Sequence, residues 1–322
     1  MGMRKSRVSI KQYQEMIARV LSALRERFRE VIRIEYPESY AKRAVDFVVE
    51  DRGVLKVYPS MPSKHSCIED LRRIARILGL SAVVVTNRIE ERETIDEVVH
   101  LRYGVKVVNE KTFSMYLRGL KVFVYEYRGS LYTHIDGCKL RELRLKHRLS
   151  LGELAGILGI SRKALYQHEQ GKMDMSIETA ERLIEAFPED AEEVFNSINL
   201  FSTEIVHEKG EAEAVPRTES EAKVISTLTR EGAEVAVLNY SPPDMIAKVG
   251  ENKLLIVSDN VRRLEERVKK LEAVEKMSTA INALAIAVGR ERELSKDFDQ
   301  IQFVEPARLR NMLHDLVRSS RA

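Results

Sequence analysis

The sequence predicts two α/β units on either side of an all-α domain. Three observations predict this. Near each end, apolar residues recur at helical spacing in one stretch and as short β-branched runs in the next, the order of an α/β layer packing. Between them, Lys139 to Phe187 is rich in helix caps and has no strand-like run. The end of the first unit, VKVVNEKTFSMYL from Val105, is echoed by QIQFVEPARLRNML from Gln300, which points to a duplicated unit.

The elements follow in order. From Ser9 to Arg29, Tyr13, Ile17, Val20, Leu21 and Leu24 lie on one helical face. Strands are predicted at Val31 to Ile34 and Ala44 to Val49, with Asp51-Arg52-Gly53 turning the chain into Val54 to Tyr58. A helix at Ile68 to Leu78, strands at Ala82 to Val85 and Val105 to Val108, and a helix at Thr112 to Leu117 complete a first domain, residues 1–120. Val122 to Tyr127 and Leu131 to Ile135 form a connecting hairpin, 121–137, ahead of the helical domain, 138–200. Ser202 to Ser220 is polar and acidic and contains Pro216, so 201–220 reads as a flexible linker. The last domain, 221–322, has a helix at Glu221 to Arg230 and strands at Val235 to Leu238, Met245 to Val249 and Leu254 to Ser258. A long helix, strands at Ala283 to Val288 and Ile301 to Glu305, and a helix at Arg308 to Val317 end it.

Composition narrows the function. The net charge is +3, from 53 Lys and Arg against 50 Asp and Glu, so a nucleic-acid surface has to be a local patch. Lys139 to Met175 supplies one, with eight Lys and Arg against four Asp and Glu. Cys67 and Cys138 are too few for a disulfide framework and too isolated for zinc, which suits inert thiols in a reducing cytoplasm. With neither a signal-peptide core nor an apolar run of about 18 residues, no membrane span is expected. No glycine-rich phosphate loop is present, which disfavours ATP-driven chemistry.

Leu149 to Gly171, LSLGELAGILGISRKALYQHEQG, carries the functional signal. Ser150 caps a first helix and Glu153 completes a capping box; Gly159 allows a left-handed exit; Ser161 caps a second helix. At about 100° per residue, Arg162, Lys163, Tyr166 and Gln167 share an outward sector, while Ala164, Leu165 and His168 point inward. A helix built this way can enter a major groove, where Arg and Lys donate to guanine and Gln pairs with adenine. The bland alternative is a solvated helix in a bundle. Lys139, Arg148 and Lys172 at the basic margins, and Ser150 at a helix start, are the candidate phosphate contacts.

Lys139 to Phe187 resembles the Cro/CI class of lambda-repressor-like helix-turn-helix domains. The resemblance implies five helices and a recognition helix at Ser161 to Gln170, with Arg162, Lys163 and Gln167 at base-reading positions and Tyr166 on the rim. It also implies a salt bridge between Arg144 and Glu169. One departure concerns phosphate anchoring: Leu151 stands where the family commonly has Gln, and Gly152 follows. His168 replaces an apolar inner residue and reads as a buried, hydrogen-bonded histidine. Over its whole length the chain looks like an archaeal family of Cro/CI-type transcriptional regulators.

The α/β units resemble the restriction-endonuclease-like fold, whose active members hold a divalent metal between two carboxylates beside a lysine. Asp46 and Lys56 fall at such positions, but Val54 stands where the second carboxylate belongs. In the last domain Asp244 is a possible relic, and Ile256 and Ser258 bring no such chemistry to it. Both units therefore read as non-catalytic, with no metal and no cofactor. The expectation is a sequence-specific regulator that binds double-stranded DNA as a homodimer on two half-sites, with the α/β units as dimerisation or DNA-contact surfaces. Two competing readings are a metal-dependent nuclease borrowing a carboxylate from Glu30 or Glu35, and a scaffold that binds DNA without sequence choice. Weaker features are Ser63, His65, Ser66 and Cys67, a polar helix cap more than a nucleophile site, and Val261, Leu264, Val268 and Leu271 at heptad spacing.

Overall fold

The computed structural model describes residues 10–50, 52–62, 66–203, 215–258, 263–289 and 294–319. Ser9, Asp51, Ser63, His65, Val261 and residues 204–214 of the expected linker lie outside them. Helix α1 (Ile10–Arg27) buries Tyr13, Met16, Ile17, Val20 and Leu24, a single stripe at helical spacing. That stripe lies over strands β1 (Val31–Arg33), β2 (Phe47–Val49), β3 (Gly53–Tyr58) and β4 (Ser81–Thr86), with α2 (Ser66–Leu78) between β3 and β4 in sequence. Every residue of β3 and β4 is buried, because helices cover both faces of the sheet there. A small hairpin, β5 (Arg88–Ile89) and β6 (Arg92–Glu93), precedes β7 (Val98–Arg102), β8 (Val105–Val108) and α3 (Glu110–Leu117). The order β1-β2-β3-β4-β8 runs antiparallel through β3 and parallel from β3 to β8.

The middle of the chain begins with β9 (Val124–Tyr127) and β10 (Ser130–Ile135). Then come α4 (Gly137–Lys146), α5 (Leu151–Leu158), α6 (Arg162–Glu169), β11 (Met175–Ser176), α7 (Ile177–Ala186), a 3-10 turn at Ala191–Val194, and β12 (Phe195–Asn196). The implied fifth helix is thus a 3-10 turn. The last unit comprises α8 (Glu219–Arg230), β13 (Glu234–Val237), β14 (Met245–Val249), β15 (Asn252–Val257), α9 (Leu264–Ala280), β16 (Leu284–Val288), β17 (Ile301–Val304) and α10 (Leu309–Ser319). Its order β13-β14-β15-β16-β17 repeats the strand directions of the first unit position by position.

The two α/β units share one core within the chain. Helix α2 packs on β3 and β4 of its own sheet and on β13 and β14 of the other, while α9 packs on β15 and β16 and reaches β1 and β2. Ile68, Leu71 and Ala75 therefore meet Leu238, Ile246 and Leu255 in a single cluster. Backbone polar groups are satisfied across this junction: Ala44 N–H donates to Tyr240 O at 2.6 Å, and Asp70 Oδ2 accepts N–H groups of Asn239 and Tyr240 at 2.6 Å each. The heptad spacing in α9 is no coiled-coil seam. Leu264 is 64% exposed, whereas Leu271 is buried against the sheets.

Strand β7 was not expected from the sequence, and it changes the domain map. It pairs antiparallel with β8 and parallel with β9, so β9 and β10 extend the first sheet instead of forming a free connector. Strand β11, inside the helical domain, adds to β10 at Tyr132↔Ser176 and Thr133↔Met175. After β12 the chain returns to the first unit, burying Ile198 and Leu200 in the cluster of α1. Phe201 stacks edge-on against Phe28, at 5.0 Å between ring centres. The helical domain therefore ends before Ile198, and the start of the expected linker is an anchored strap.

Candidate nucleic-acid interface

Local chemistry fixes the two helices around the turn. Glu153 N–H donates to Ser150 Oγ at 3.2 Å and Ser150 N–H to Glu153 Oε2 at 2.7 Å, a reciprocal cap that holds the Glu153 carboxyl below its ordinary range. Gly159 ends α5 at φ 66°, a left-handed turn that glycine adopts without strain. A methyl at Gly159 would also lie 2.2 Å from the Arg182 guanidinium, which donates to Leu158 O at 2.9 Å. Ser161 Oγ caps α6 through Ala164 N–H at 3.1 Å. Leu154, Leu158, Leu165 and Leu183 close the core beneath.

The inner side of α6 is clamped. Arg144 Nε and Nη2 donate to Glu169 Oε1 and Oε2 at 2.6 and 3.0 Å, a two-pronged pair whose side chains are 10% and 4% exposed. Arg144 Nη1 also donates to Leu149 O at 3.1 Å, tying α4, the start of α5 and α6 together. His168 is buried with Nδ1 on Met173 O at 2.9 Å.

The outer side faces water. Arg162, Lys163 and Tyr166 are exposed, Tyr166 by 52%, and Gln167 is half-buried. The Arg162 guanidinium lies back across the start of α5, its Nε 2.8 Å from where a Gly152 methyl would sit. Gly152, which follows the departure at Leu151, is thus the space that Arg162 occupies. Lys139, Arg148, Ser150 and Lys172 are all exposed, with Ser150 Oγ already accepting its cap bond. Exposed cations and an exposed helix are the groups that phosphates and base edges respectively would need.

The nuclease-like positions are built differently. Asp46 is buried, and its Oδ2 accepts Val57 N–H at 2.8 Å and lies 3.0 Å from Lys56 Nζ. Its Oδ1 accepts the Tyr13 hydroxyl at 2.7 Å, with the Arg43 guanidinium at 3.5 Å. Burial pushes the Lys56 ammonium down against the opposing pull of Asp46. Neither borrowed carboxylate approaches: Glu30 is exposed, and exposed Glu35 pairs with Arg33 at 3.0 Å. In the last unit Asp244 Oδ2 accepts Ser258 N–H at 2.9 Å, and Asp244 Oδ1 pairs with Lys270 Nζ at 2.6 Å and Arg217 Nη2 at 3.1 Å. Arg217 Nη2 also holds Glu221 Oε1 at 2.7 Å.

Sequence reasoning denied Asp244 a lysine partner because it searched the strand; the helix supplies it. The available signal was a basic residue at a buried phase of α9, since Arg267, Lys270, Leu271 and Val274 share one face. A divalent metal does not fit either position. Among the described residues no group of three His, Cys, Asp or Glu is placed to hold one, and cationic side chains already neutralise both aspartates.

Sheet order, capped helices and clamp together define a helix-turn-helix protein built onto two α/β units of one strand order. A family model described as PD-(D/E)XK superfamily domain matches residues 13–122, and one described as Helix-turn-helix matches residues 140–194. Several archaeal proteins named “Putative HTH-type transcriptional regulatory protein” are similar over most of the chain. One from Aeropyrum pernix is 29% identical over 321 residues, covering 95% of each chain. Another from Sulfolobus acidocaldarius is 29% identical over 282 residues, covering 84% of this chain and 88% of its own. A third, from Pyrococcus abyssi, is 32% identical over 217 residues, 67% of each. No solved structure matches. The chain belongs to this archaeal family of HTH-type transcriptional regulatory proteins. Among the described residues no helix is long and apolar enough to cross a membrane.

Proposed function

We propose that this protein is a cytoplasmic, sequence-specific regulator of transcription that reads the major groove with α6 and cuts nothing. The observation that carries the reading is the two-sidedness of that helix. Its inner side is fixed by the Arg144–Glu169 pair and an apolar core, while Arg162, Lys163, Tyr166 and Gln167 stand at or near solvent. Donors on a rigid helix discriminate bases at low entropic cost. Lys139, Arg148 and Lys172 would supply salt-dependent phosphate attraction, with Ser150 beside them at the start of α5.

Two copies on an operator with two half-sites complete this reading, since a single domain of this kind reads only a few base pairs. Their contact lies elsewhere than α2 and α9, which are packed between the two units of one chain. We infer that those units arose by duplication of one unit, from their common strand order and matching aspartates. Val54 at the second carboxylate's position, and the absence among the described residues of a His, Cys, Asp or Glu trio placed to hold a metal, support a fold kept without its chemistry.

The test is selection of bound duplexes from a random pool in Mg²⁺, with the recovered DNA checked for cuts. A short palindrome on intact DNA is the expected result. Enrichment of no sequence would favour a scaffold, and cleavage dependent on Mg²⁺ would favour a nuclease.

A further inference from the structure

Between β7 and the helical domain lies an open cavity of about 500 Å³ that the proposed reading leaves unused. This is within the range of small-molecule sites, roughly 300–1,000 Å³. Val99, Leu101, Ile135 and Ile198 form apolar walls, and Asp174 and His134 form a polar end. Asp174 Oδ2 accepts the Tyr125 hydroxyl at 2.7 Å and pairs with His134 Nδ1 at 2.8 Å. Burial opposes the charge on Asp174, but these two bonds outweigh it and hold the carboxyl below its ordinary range.

An ionised carboxylate only accepts, so His134 Nδ1 donates in that bond. Asp174 Oδ1 and His134 Nε2 make no hydrogen bond among the described residues. A carboxylate oxygen that only accepts is left at one end of a cavity whose walls are part apolar and part polar. Lys106, elsewhere on the lining, does not reverse this polarity: its ammonium donates to Asn199 O, Ser202 O and Ser202 Oγ at 2.8, 3.0 and 2.7 Å.

We propose that this cavity binds a small molecule presenting N–H donors to the Asp174 carboxylate on a partly apolar frame, such as an amidine, a guanidinium or an amino-heterocycle edge, and that its occupancy adjusts the seating of α6. Asp174 lies in the loop that leaves α6. That loop is held on one side by His168 Nδ1 on Met173 O and on the other by β11 paired to β10. A ligand that grips Asp174 therefore bears on the recognition helix and on the sheet that carries it. The regulatory clause rests on the DNA-binding reading; the binding clause does not.

Calorimetric titration of the full chain without DNA tests the site, using benzamidine and its carboxylate counterpart benzoate as probes. Benzamidine is expected to bind saturably at one per chain and benzoate not at all. Asp174→Asn should weaken benzamidine about tenfold or more, the worth of a charge-assisted hydrogen bond. Ser197→Phe, which adds bulk to the lining and touches none of the Asp174 bonds, should also abolish binding, and the thermal midpoint of each variant reports its folding. Equal binding of benzoate, or benzamidine binding untouched by both folded variants, would overturn the site. Agmatine and guanosine then separate an aliphatic guanidinium from a heterocyclic edge. With the selected duplex, a saturating probe should change DNA affinity about fivefold or more. Unchanged DNA affinity with the probe bound overturns the regulatory clause alone, and failure to select any duplex counts against the DNA reading while leaving the site standing.

Discussion

Asp46 and Asp244 hold the same backbone position in two sheets of one strand order. Each donates its backbone N–H to the neighbouring strand, to Leu55 O at 2.8 Å and to Ile256 O at 2.9 Å. Each carboxylate accepts the N–H two residues further along that strand, from Val57 at 2.8 Å and Ser258 at 2.9 Å. Their lysines come from different places. Lys56 stands on β3 beside Asp46, whereas Val257 fills that position in β15 and Lys270 reaches Asp244 from α9. The charge pair is common to both units; its route through the sequence is not.

A buried pair of this kind is costly to break from one side. Lys270→Met should destabilise the protein by about 3–5 kcal/mol, and adding Asp244→Asn should return part of the loss. Denaturant unfolding of the single and double variants measures it. An undisturbed Lys270→Met variant would mean that the pair is not formed.

Metal should be irrelevant to this protein's stability. Thermal midpoints in Mg²⁺ and in EDTA are expected to coincide, and duplex DNA to stay intact in both, because Lys56 and Lys270 already occupy the aspartates. A midpoint that rises with Mg²⁺ would reveal a carboxylate set brought together by the ion.

The clamp beneath α6 should matter to folding more than to base choice. Glu169→Ala leaves Arg144 buried without its carboxylate and should cost about 3 kcal/mol or more. Thermal unfolding followed by circular dichroism tests this; a loss of a few tenths would place the pair among ordinary surface contacts.

Base and phosphate contacts should separate in their salt dependence. Gln167→Ala is expected to relax preference at one base pair by about 1–3 kcal/mol. Lys139→Ala should weaken all sequences alike and reduce the salt slope by about one. Both are read from affinities for the selected duplex and its point variants over a range of salt.

The junction of the two α/β units should respond to pH through Asp70. Burial pushes its carboxyl up from 3.8 to about 6, against two backbone N–H bonds and the Arg73 guanidinium. Above that value the folded protein carries a buried charge that the unfolded chain carries in water, so the group opposes folding. As pH falls from about 6 towards 4 the folded form takes its proton first, and this contribution turns more favourable; at lower pH both states are protonated and it levels off. Asp70→Asn should remove that slope, seen as a difference in thermal midpoint from the parent that shrinks on acidification through this window.

Helical stripes, caps and turn residues determined the elements of this protein, because a cap or a stripe depends on residues three or four positions apart. Ser150, Glu153, Gly159 and Ser161 specify the helix-turn-helix in that local way, and the same periodicity turns Arg162 and Gln167 outward. The sequence alone also showed that Val54 lacks a carboxylate. Tertiary structure decided the rest. Strand β7, with His100 buried between β8 and β9, has no clear alternation and exists through its two neighbours. Lys270 meets Asp244, and α2 meets β14, across distances in sequence that no local pattern encodes. The cavity at Asp174 and His134 likewise exists because one sheet continues from the first unit into the helical domain. Contacts of that range are set by which apolar faces find cover, and that is settled when the whole chain has folded.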